Sequence, residues 1–507
     1  MSQEGAQPDQ LEPLDDETDL PEQMRVRREK LERLTSSGQE AYPVGYPRTT
    51  SVAELRQRFP DLESGATTGE TVGITGRVIL NRIGGKLCFA TLQEWDSQVQ
   101  VMLSLDKLGE ERLAAWKSDV DLGDQVGVTG EVITSRRGEL SVLADSWALT
   151  SKALRPFPDK HRGLTDPEAR VRQRYVDLVV NPEARQMLET RAAVVAALRS
   201  SLGRRGFVEV ETPQLQPLHG GAAARPFVTH MNALDVDLYL RIAIELYLKR
   251  LLVGGIPKVF EIGRNFRNEG VDATHNPEFT MLEAYEAYSD YDALGAQVRE
   301  WVIEAAQAIG STVVPDGAGG EVDLAAEWRS ATVHELVSEA LGEQITPDTP
   351  VEQLIGHAAR TSVELQPQWS AGEIVLELYE KLVEHKLREP TFVRDYPAEV
   401  RPLARAHRDD PRLAEASDIV IAGRELAPIY SELIDPIEQR RRLTEQSLRA
   451  AGGDPEAMQL DEDFLRALEY GMPPTGGMGL GVDRLVMLLT GRHSIRETVL
   501  FPLVRRQ

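Results

Sequence analysis

Arg267, His275, Phe279 and Arg484 are side chains that suit a chain of phosphates joined to a flat heteroaromatic ring. A guanidinium at Arg267 gives two parallel charge-assisted hydrogen bonds to one phosphate. Arg484 adds a second guanidinium, for phosphate or for a planar stack on a base. Phe279 covers the opposite face of that base, and His275 reaches a terminal phosphate. Asp418 and Glu425, on strands joined by the Ala422-Gly423 turn, supply hard oxygen ligands for Mg²⁺. No Walker-type lysine loop accompanies them, so an ATP site here relies on arginines and a metal. A second group is acidic: Glu245, Glu283 and Glu432, with Tyr285 and Tyr430. Carboxylates gathered in one pocket repel each other and resist desolvation unless a cation joins them. Together they suit an amine-bearing substrate; singly, each glutamate reads first as a surface acid or a helix salt-bridge partner.

These side chains need a scaffold. Residues 260–283, FEIGRNFRNEGVDATHNPEFTMLE, hold only two arginines, Arg264 and Arg267, too few for a basic patch. KVFEIGRNFR and EFTMLEAYEAY read as two strands around a loop. FVRDYP, SDIVIAGREL and IYSELIDP have strand character, and GMPPTGGMGLGVDRLVMLLTG reads as a glycine-dense strand entering an apolar helix. Upstream, PEARQMLETRAAVVAALRSSLGRRGF has helical spacing up to Gly206. FVEVETP reads as a strand ended by Pro213, and LYLRIAIELYLKRLLVGG as a strand running into a helix. The interval 292–388 is mostly helical, with Gly and Pro breaks that predict an inserted or peripheral subdomain. The glycines at 476–481 lack the βαβ setting of a dinucleotide fingerprint, so the class is α+β on an antiparallel sheet.

The first third of the chain has another rhythm. TVGITGRVIL, KLCFATLQ, QVQVMLSL, QVGVTGEVITS and ELSVLADSWAL are five strand candidates within 71–150, with the helical LGEERLAAWK after the third. That order fits an OB-type barrel, a fold that displays side chains to single-stranded nucleic acid, and equally an unrelated small barrel. Arg82, Phe89, Gln100 and Glu139 lie on or beside these strands, where stacking and base-edge hydrogen bonds are available. Residues 151–175 form a Pro-punctuated basic connector to a second domain, 176–507. Residues 24–70 form an N-terminal arm. In its MRVRREKLERL segment Leu31 and Leu34 turn inward, while Arg25, Arg27, Arg28, Lys30 and Arg33 stay wet. That helix serves either solubility or a polyanion. Residues 1–23 hold no Lys or Arg and read as a solvated acidic tail.

The totals set limits. A chain of 507 residues implies at least two domains. A formal charge of −24 argues against wrapping nucleic acid by bulk electrostatics but leaves local basic surfaces open. No apolar run suits a membrane span or signal peptide. Cys88 is the single cysteine, which excludes an intrachain disulfide and favours a reducing cytoplasm.

From about residue 20 to 505 the chain resembles the class II lysyl-tRNA synthetases. FVEVETP (207–213), FRNEGVDATHNPEFTMLEAY (266–285) and GMGLGVDR (477–484) match the three signatures of that family, the first of which builds a dimer interface. GGAAARPF and HNPEFTMLEAY point narrowly to the lysine enzyme, as do GELSVLADSW, RQRYVDL, ELYLKR and RETVLFP. The resemblance implies an OB-fold anticodon-binding barrel and a catalytic domain on an antiparallel sheet, in a cytoplasmic homodimer that uses ATP, L-lysine, tRNA(Lys) and Mg²⁺. It implies that Arg267 binds the α-phosphate and substrate carboxylate, Glu269 contacts adenine, His275 approaches the distal phosphates, and Phe279 and Arg484 pack on adenine. Asp418 and Glu425 fall at metal-ligand places, and Gly221 and Glu245 match the surroundings of the substrate α-amino group. Glu283, Tyr285 and Glu432 match the pocket for the side-chain ammonium. Arg82, Phe89, Gln100 and Glu139 match anticodon-facing positions. A paralogous ligase with another amino acid or acceptor, and a nonenzymatic tRNA-binding homologue, are the alternatives.

The chain departs from the family pattern in places. Ile244 replaces the proline of RIAPELYLKR, changing backbone freedom beside Glu245. Asp418 is one methylene shorter than the glutamate found in many members. Pro428, in GRELAPIYSEL, occupies a position that is usually asparagine or threonine. It offers no N–H and no polar side chain, so slower lysine activation is expected, with the strand carrying Glu432 re-aimed.

Overall fold

The computed structural model describes residues 20–158, 163–451 and 458–505. The chain forms two compact units, divided between Arg185 and Gln186. Most of the expected acidic tail lies outside the described residues, and its last residues, from Glu22, already belong to the first helix.

In the first unit, helices α1 (Glu22–Ser36) and α2 (Val52–Arg58) precede strands β1 (Thr67–Arg82), β2 (Leu87–Glu94) and β3 (Ser97–Ser104). Helix α3 (Leu105–Asp119) and strands β4 (Gln125–Thr134) and β5 (Leu140–Ser151) follow, then α4 (Pro167–Arg172) and α5 (Arg174–Val180). The strands close in the order β1-β2-β3-β5-β4, with β4 back on β1. Strict alternation drives this: Cys88, Ala90, Leu92, Val99, Val101 and Leu103 point inward and are buried, while their neighbours face out. Trp116 of α3 meets Trp147 of β5 edge-on at 5.2 Å.

The arm corrects one expectation. Arg27 is buried rather than wet, donating to the carbonyls of Ala153 and Leu122 at 2.8 Å each. Lys30 pairs with Asp121 at 2.7 Å and Arg33 with Asp119 at 2.8 Å. Asp119, Asp121 and Asp124 cluster between α3 and β4, where the buried Lys152 bridges the last two. Cations on this helix face answer acids of their own unit.

The second unit is built on one sheet. After α6 (Pro182–Arg204) come β6 (Val208–Glu209), β7 (Leu215–Gln216), β8 (Val228–Met231), β9 (Val236–Leu240), α7 (Glu245–Val253), β10 (Lys258–Phe266) and β11 (Glu278–Ala287). Then follow α8 (Tyr291–Ala308), β12 (Val313–Pro315), β13 (Glu321–Asp323), β14 (Arg329–Thr332), α9 (Val333–Leu341), α10 (Val351–Thr361) and α11 (Ala371–Leu382). The chain ends through β15 (Thr391–Pro397), β16 (Leu413–Ile421), β17 (Arg424–Ser431), α12 (Pro436–Ala451), α13 (Glu462–Glu469), β18 (Thr475–Gly481), α14 (Val482–Thr490) and α15 (Ile495–Thr498). Eight strands order as β14-β15-β16-β17-β18-β11-β10-β6, antiparallel except at the two outer pairs.

One face of the sheet carries the apolar core. Ile419, Ile421, Ala427, Ile429, Met478, Leu480 and Leu282 pack there against α6, α8 and α14. The sequence placed all of 292–388 in a peripheral region; instead α8 belongs to this central core, because Leu294, Val298, Trp301 and Val302 form an apolar stripe. Helices α9, α10 and α11 contribute to a separate core. FVEVETP is also less regular than expected: the strand covers Val208–Glu209, Val210 adds one N–H bond to the Phe260 carbonyl, and Thr212 turns its N–H and hydroxyl to the Glu261 carboxylate.

Candidate active site

The sheet face opposite that core is floored by glycine. Gly477, Gly479 and Gly481 of β18 alternate with the buried Met478 and Leu480, so the outward positions of this central strand have no side chain. A side chain at Gly477 would collide with the Glu432 carboxylate and the Tyr285 ring. On β11, Phe279, Met281, Glu283 and Tyr285 share this face, with Gly481, Gly479 and Gly477 directly across from the last three. On β17, one irregularity sets the constellation. Val420 pairs with Glu425 and Ile419 with Ala427, leaving Leu426 as an extra, buried residue. This bulge switches the parity of the strand, so Glu425 shares a face with Pro428, Tyr430 and Glu432.

Deepest in the site is an acidic pocket around a lysine. Glu245 opens α7, and Lys249 lies one turn later on the same helix face. Lys249 Nζ lies 2.6 Å from Glu245 and 2.5 Å from Glu432, and its side chain is wholly buried. Glu283 accepts from the Ile244 amide at 3.0 Å and from the Tyr285 hydroxyl at 3.2 Å. Burial pushes the Glu283 carboxyl up to about 7, with Glu245 adding to it. Burial likewise raises Glu432, to about 8, against the pull of Lys249. For Lys249, burial opposes the charge, and the two carboxylates outweigh it and hold the ammonium. Gly221, at φ +85°, sits against Ala243 and Glu245, where a side chain would crowd both. Gly221, Glu245 and Tyr430 line one cleft.

Ile244 acts through its backbone. Proline in that position would have no N–H to give Glu283. Pro428 also behaves differently from expectation. Strand β17 runs through it without interruption, Asp418 stands opposite, and Glu432 still reaches the pocket, so the strand is not re-aimed. Its missing N–H and apolar ring remain, lining the neighbouring cleft.

That neighbouring cleft is open. Arg267, Glu269, His275, Phe279, Glu425 and Arg484 line it together. Arg267 lies over the Phe279 ring at 5.2 Å, and burial lowers its affinity for a proton. His275 Nδ1 contacts Asp272 at 2.8 Å. Glu269 is exposed and accepts from the Arg225 amide at 3.3 Å. Arg484, in the first turn of α14, donates to the Glu425 carbonyl at 3.1 Å. Beside it, Asp483 accepts from the Thr280 amide at 2.6 Å and pairs with Arg191, fixing the helix to β11. Arg264, whose side chain lies 3.5 Å from Glu278, stands outside the lining.

Asp418 and Glu425 share the site face but differ in setting. Asp418 is buried and pairs with Arg401 at 2.6 Å, while its Oδ1 has no partner. Burial raises its carboxyl to about 6, Arg401 opposing and Glu425 reinforcing. Glu384 is pushed up to about 7 by burial and by Glu425. An unpartnered buried oxygen beside a solvent-reaching carboxylate, with excess negative charge, fits a hard cation. Among the described residues, no group of three or more ligating side chains is arranged for a metal.

In the barrel, Arg82 pairs with Phe89 and Phe89 with Met102, placing them in one outward row. Gln100, next along that face, donates to the Ser141 hydroxyl at 2.8 Å. Glu139, before β5, is exposed and pairs with Arg56 at 3.2 Å.

Lys249, Arg401 and Gly477 escaped the sequence reading as site residues. ELYLKR places Lys249 four residues after Glu245, which is a detectable helix pairing. Nothing local marks Arg401, a loop residue whose partner Asp418 lies 17 residues on, in β16.

Residues 166–505 match the family model described as tRNA synthetases class II (D, K and N). Residues 72–150 match that of an OB-fold nucleic acid binding domain. The chain is 60% identical to a lysine–tRNA ligase of Mycolicibacterium gilvum, over 97% of this chain and 99% of that one. It is 58% identical to a lysine–tRNA ligase of Kineococcus radiotolerans, over 96% and 98% respectively. A lysylphosphatidylglycerol biosynthesis bifunctional protein of Nocardia farcinica is 53% identical over 99% of this chain and 44% of its own length. The glycine-floored face, its flanking acids and arginines, and these end-to-end likenesses agree: the chain belongs to the class II tRNA synthetase family (D, K and N), among the lysine–tRNA ligases.

Proposed function

We propose that the protein activates L-lysine with ATP and transfers it to the terminal adenosine of tRNA(Lys). The observation that carries this reading is the buried cluster of Glu245, Glu283 and Glu432 on the same sheet face as an arginine- and phenylalanine-lined cleft. A pocket with more carboxylates than internal cations favours an ammonium-bearing guest.

In the first step a lysine carboxylate oxygen attacks the α-phosphorus of ATP. A P–O bond to lysine forms as the bond to pyrophosphate breaks, giving lysyl-adenylate. In the second, a hydroxyl of the terminal ribose attacks the activated carbonyl, its proton is lost, and AMP leaves. Arg267 holds the α-phosphate and the substrate carboxylate together, stabilising the charge that develops between them. Phe279 and Arg484 enclose the adenine and Glu269 receives its edge, while His275 faces the distal phosphates. Glu245 and Gly221 take the α-amino group, and Glu283, Tyr285 and Glu432 take the side-chain ammonium. Asp418 and Glu425 are the residues that would hold Mg²⁺, which supplies positive charge for the phosphates when bound. No side chain is required as a covalent nucleophile.

Arg82, Phe89, Gln100 and Glu139 form the surface for anticodon bases, by stacking and base-edge hydrogen bonds. A homodimer is part of this reading, supported by the exposed Val208, Leu215, Val228 and Val236 on β6 to β9. A cytoplasmic setting suits the reduced, buried Cys88 and the substrates.

The test is ATP–pyrophosphate exchange across the amino acids, followed by charging of total tRNA. Lysine-dependent exchange with charging of tRNA(Lys) is expected. Exchange without charging would move the acceptor elsewhere, and no exchange would remove the enzymatic reading.

A further inference from the structure

We infer that Lys249 is a positioning residue, an internal counter-ion that aims Glu245 and Glu432 and favours the charged form of Glu432, and thereby sets the affinity of the pocket for the substrate's ammonium groups. This inference rests on the lysine-activating reading.

Lys249 lies in the middle of α7, fixed by Ile244, Leu248 and Leu252, which pack with Val259, Tyr285, Phe464 and Leu468. The ammonium is carried into a site with no exposure to solvent, 2.6 Å from Glu245 and 2.5 Å from Glu432. It spans two elements distant in sequence, the start of α7 and the residue after β17. A buried ammonium between two carboxylates aligns both and cancels one of their charges. Removing it would leave a cluster of glutamates that cannot all ionise.

Every charged or titratable neighbour reinforces this. From α7 comes Glu245, from the end of β17 Glu432 and Tyr430, and from β11 Glu283 and Tyr285. Arg267 faces Glu283, and Arg401 and Asp418 stand near Tyr430. Thus Lys249 is the ammonium bonded directly to Glu245 and Glu432. With it present, burial already lifts Glu432 to about 8 and Glu283 to about 7, so the pocket is poised to ionise near neutrality. Without it, ionisation moves to higher pH, and an arriving ammonium meets carboxylic acids.

Lysine-dependent ATP–pyrophosphate exchange from pH 6.5 to 9 tests this with wild type, Lys249→Met and Lys249→Gln. At pH 7 the KM for lysine rises at least about tenfold in both variants, and the ratio to wild type narrows at least about threefold by pH 9. The KM for ATP, which reports on the folded open cleft, stays within about threefold. A KM for lysine that is unchanged, or raised by one factor at every pH, would overturn the inference. Should neither variant fold, the wild-type profile decides. A KM that falls as pH rises and then levels off within this range supports the role, whereas a KM independent of pH contradicts it. Absence of lysine-dependent exchange in wild type defeats the lysine-activating reading itself; a normal wild type with a flat variant ratio defeats only the role of Lys249.

Discussion

The two halves of the site solve opposite problems. In the pocket around Lys249, three glutamates are buried against fixed partners, and burial pushes Glu283 and Glu432 well above their ordinary range. In the cleft beside it, Arg267, Phe279, His275 and Arg484 reach solvent and rest on one another or on nearby acids. In the proposed reading the buried half is built before its guest arrives and selects by charge. On the same reading, the open half would exchange weak resting contacts for ligand contacts. Selectivity should therefore reside in the pocket and transition-state stabilisation in the cleft, with Arg267 joining them.

That division breaks most visibly at Arg267. Arg267→Ala is expected to lower kcat for exchange about 10³-fold, with a smaller change in the KM for lysine. Equal losses in kcat and in lysine KM would erase the distinction. Glu432→Gln keeps the shape but loses the charge. Its lysine KM should rise about 10²-fold while the ATP KM stays within about threefold. Phe279→Leu should act in the reverse sense, raising the ATP KM about tenfold and leaving lysine nearly unaffected. Pro428→Asn, which restores a polar group between the two regions, should speed lysine activation by about two- to fivefold. An unchanged exchange rate would mean that the proline is neutral.

Acidity gives a further contrast, smaller and global. Glu283 and Glu432 have raised values in the folded protein, so each binds its proton more tightly folded than unfolded. Their contribution to stability is complete below about pH 4.5 and is lost as pH rises through about 7 and 8. The Tm of the unliganded protein should therefore fall between pH 6 and pH 8.5, and saturating lysine should flatten that slope. A lysine-independent slope would place the titrating groups elsewhere.

The sequence made the alternating barrel strands, the hairpin around the FRNEG loop and the β18–α14 junction legible, because each follows local periodicity or glycine placement. The members of both groups were legible as residue types; the structure brings Arg267, Glu269, His275, Phe279, Glu425 and Arg484 to one cleft, and Glu245 and Glu432 onto Lys249. Partners supplied by distant segments were not legible. Arg27 looked solvated because its carbonyl acceptors lie 95 and 126 residues away. Lys249 looked like one more basic residue until Glu432, from beyond β17, closed on it. The Leu426 bulge is another case: a strand read by strict alternation would turn Glu425 away from Glu432. The extent of 292–388 was misjudged for a related reason, since helical spacing does not say which core a helix joins.

The most direct test of a pocket that selects by charge is ATP–pyrophosphate exchange with lysine against norleucine, which keeps the chain length and lacks the side-chain ammonium. The buried carboxylates would be left unpaired by norleucine, so its kcat/KM should be lower by about 10⁴-fold or more. A norleucine value within about tenfold of lysine would contradict the account, because a methylene-lined slot rather than Glu283 and Glu432 would then be choosing the substrate.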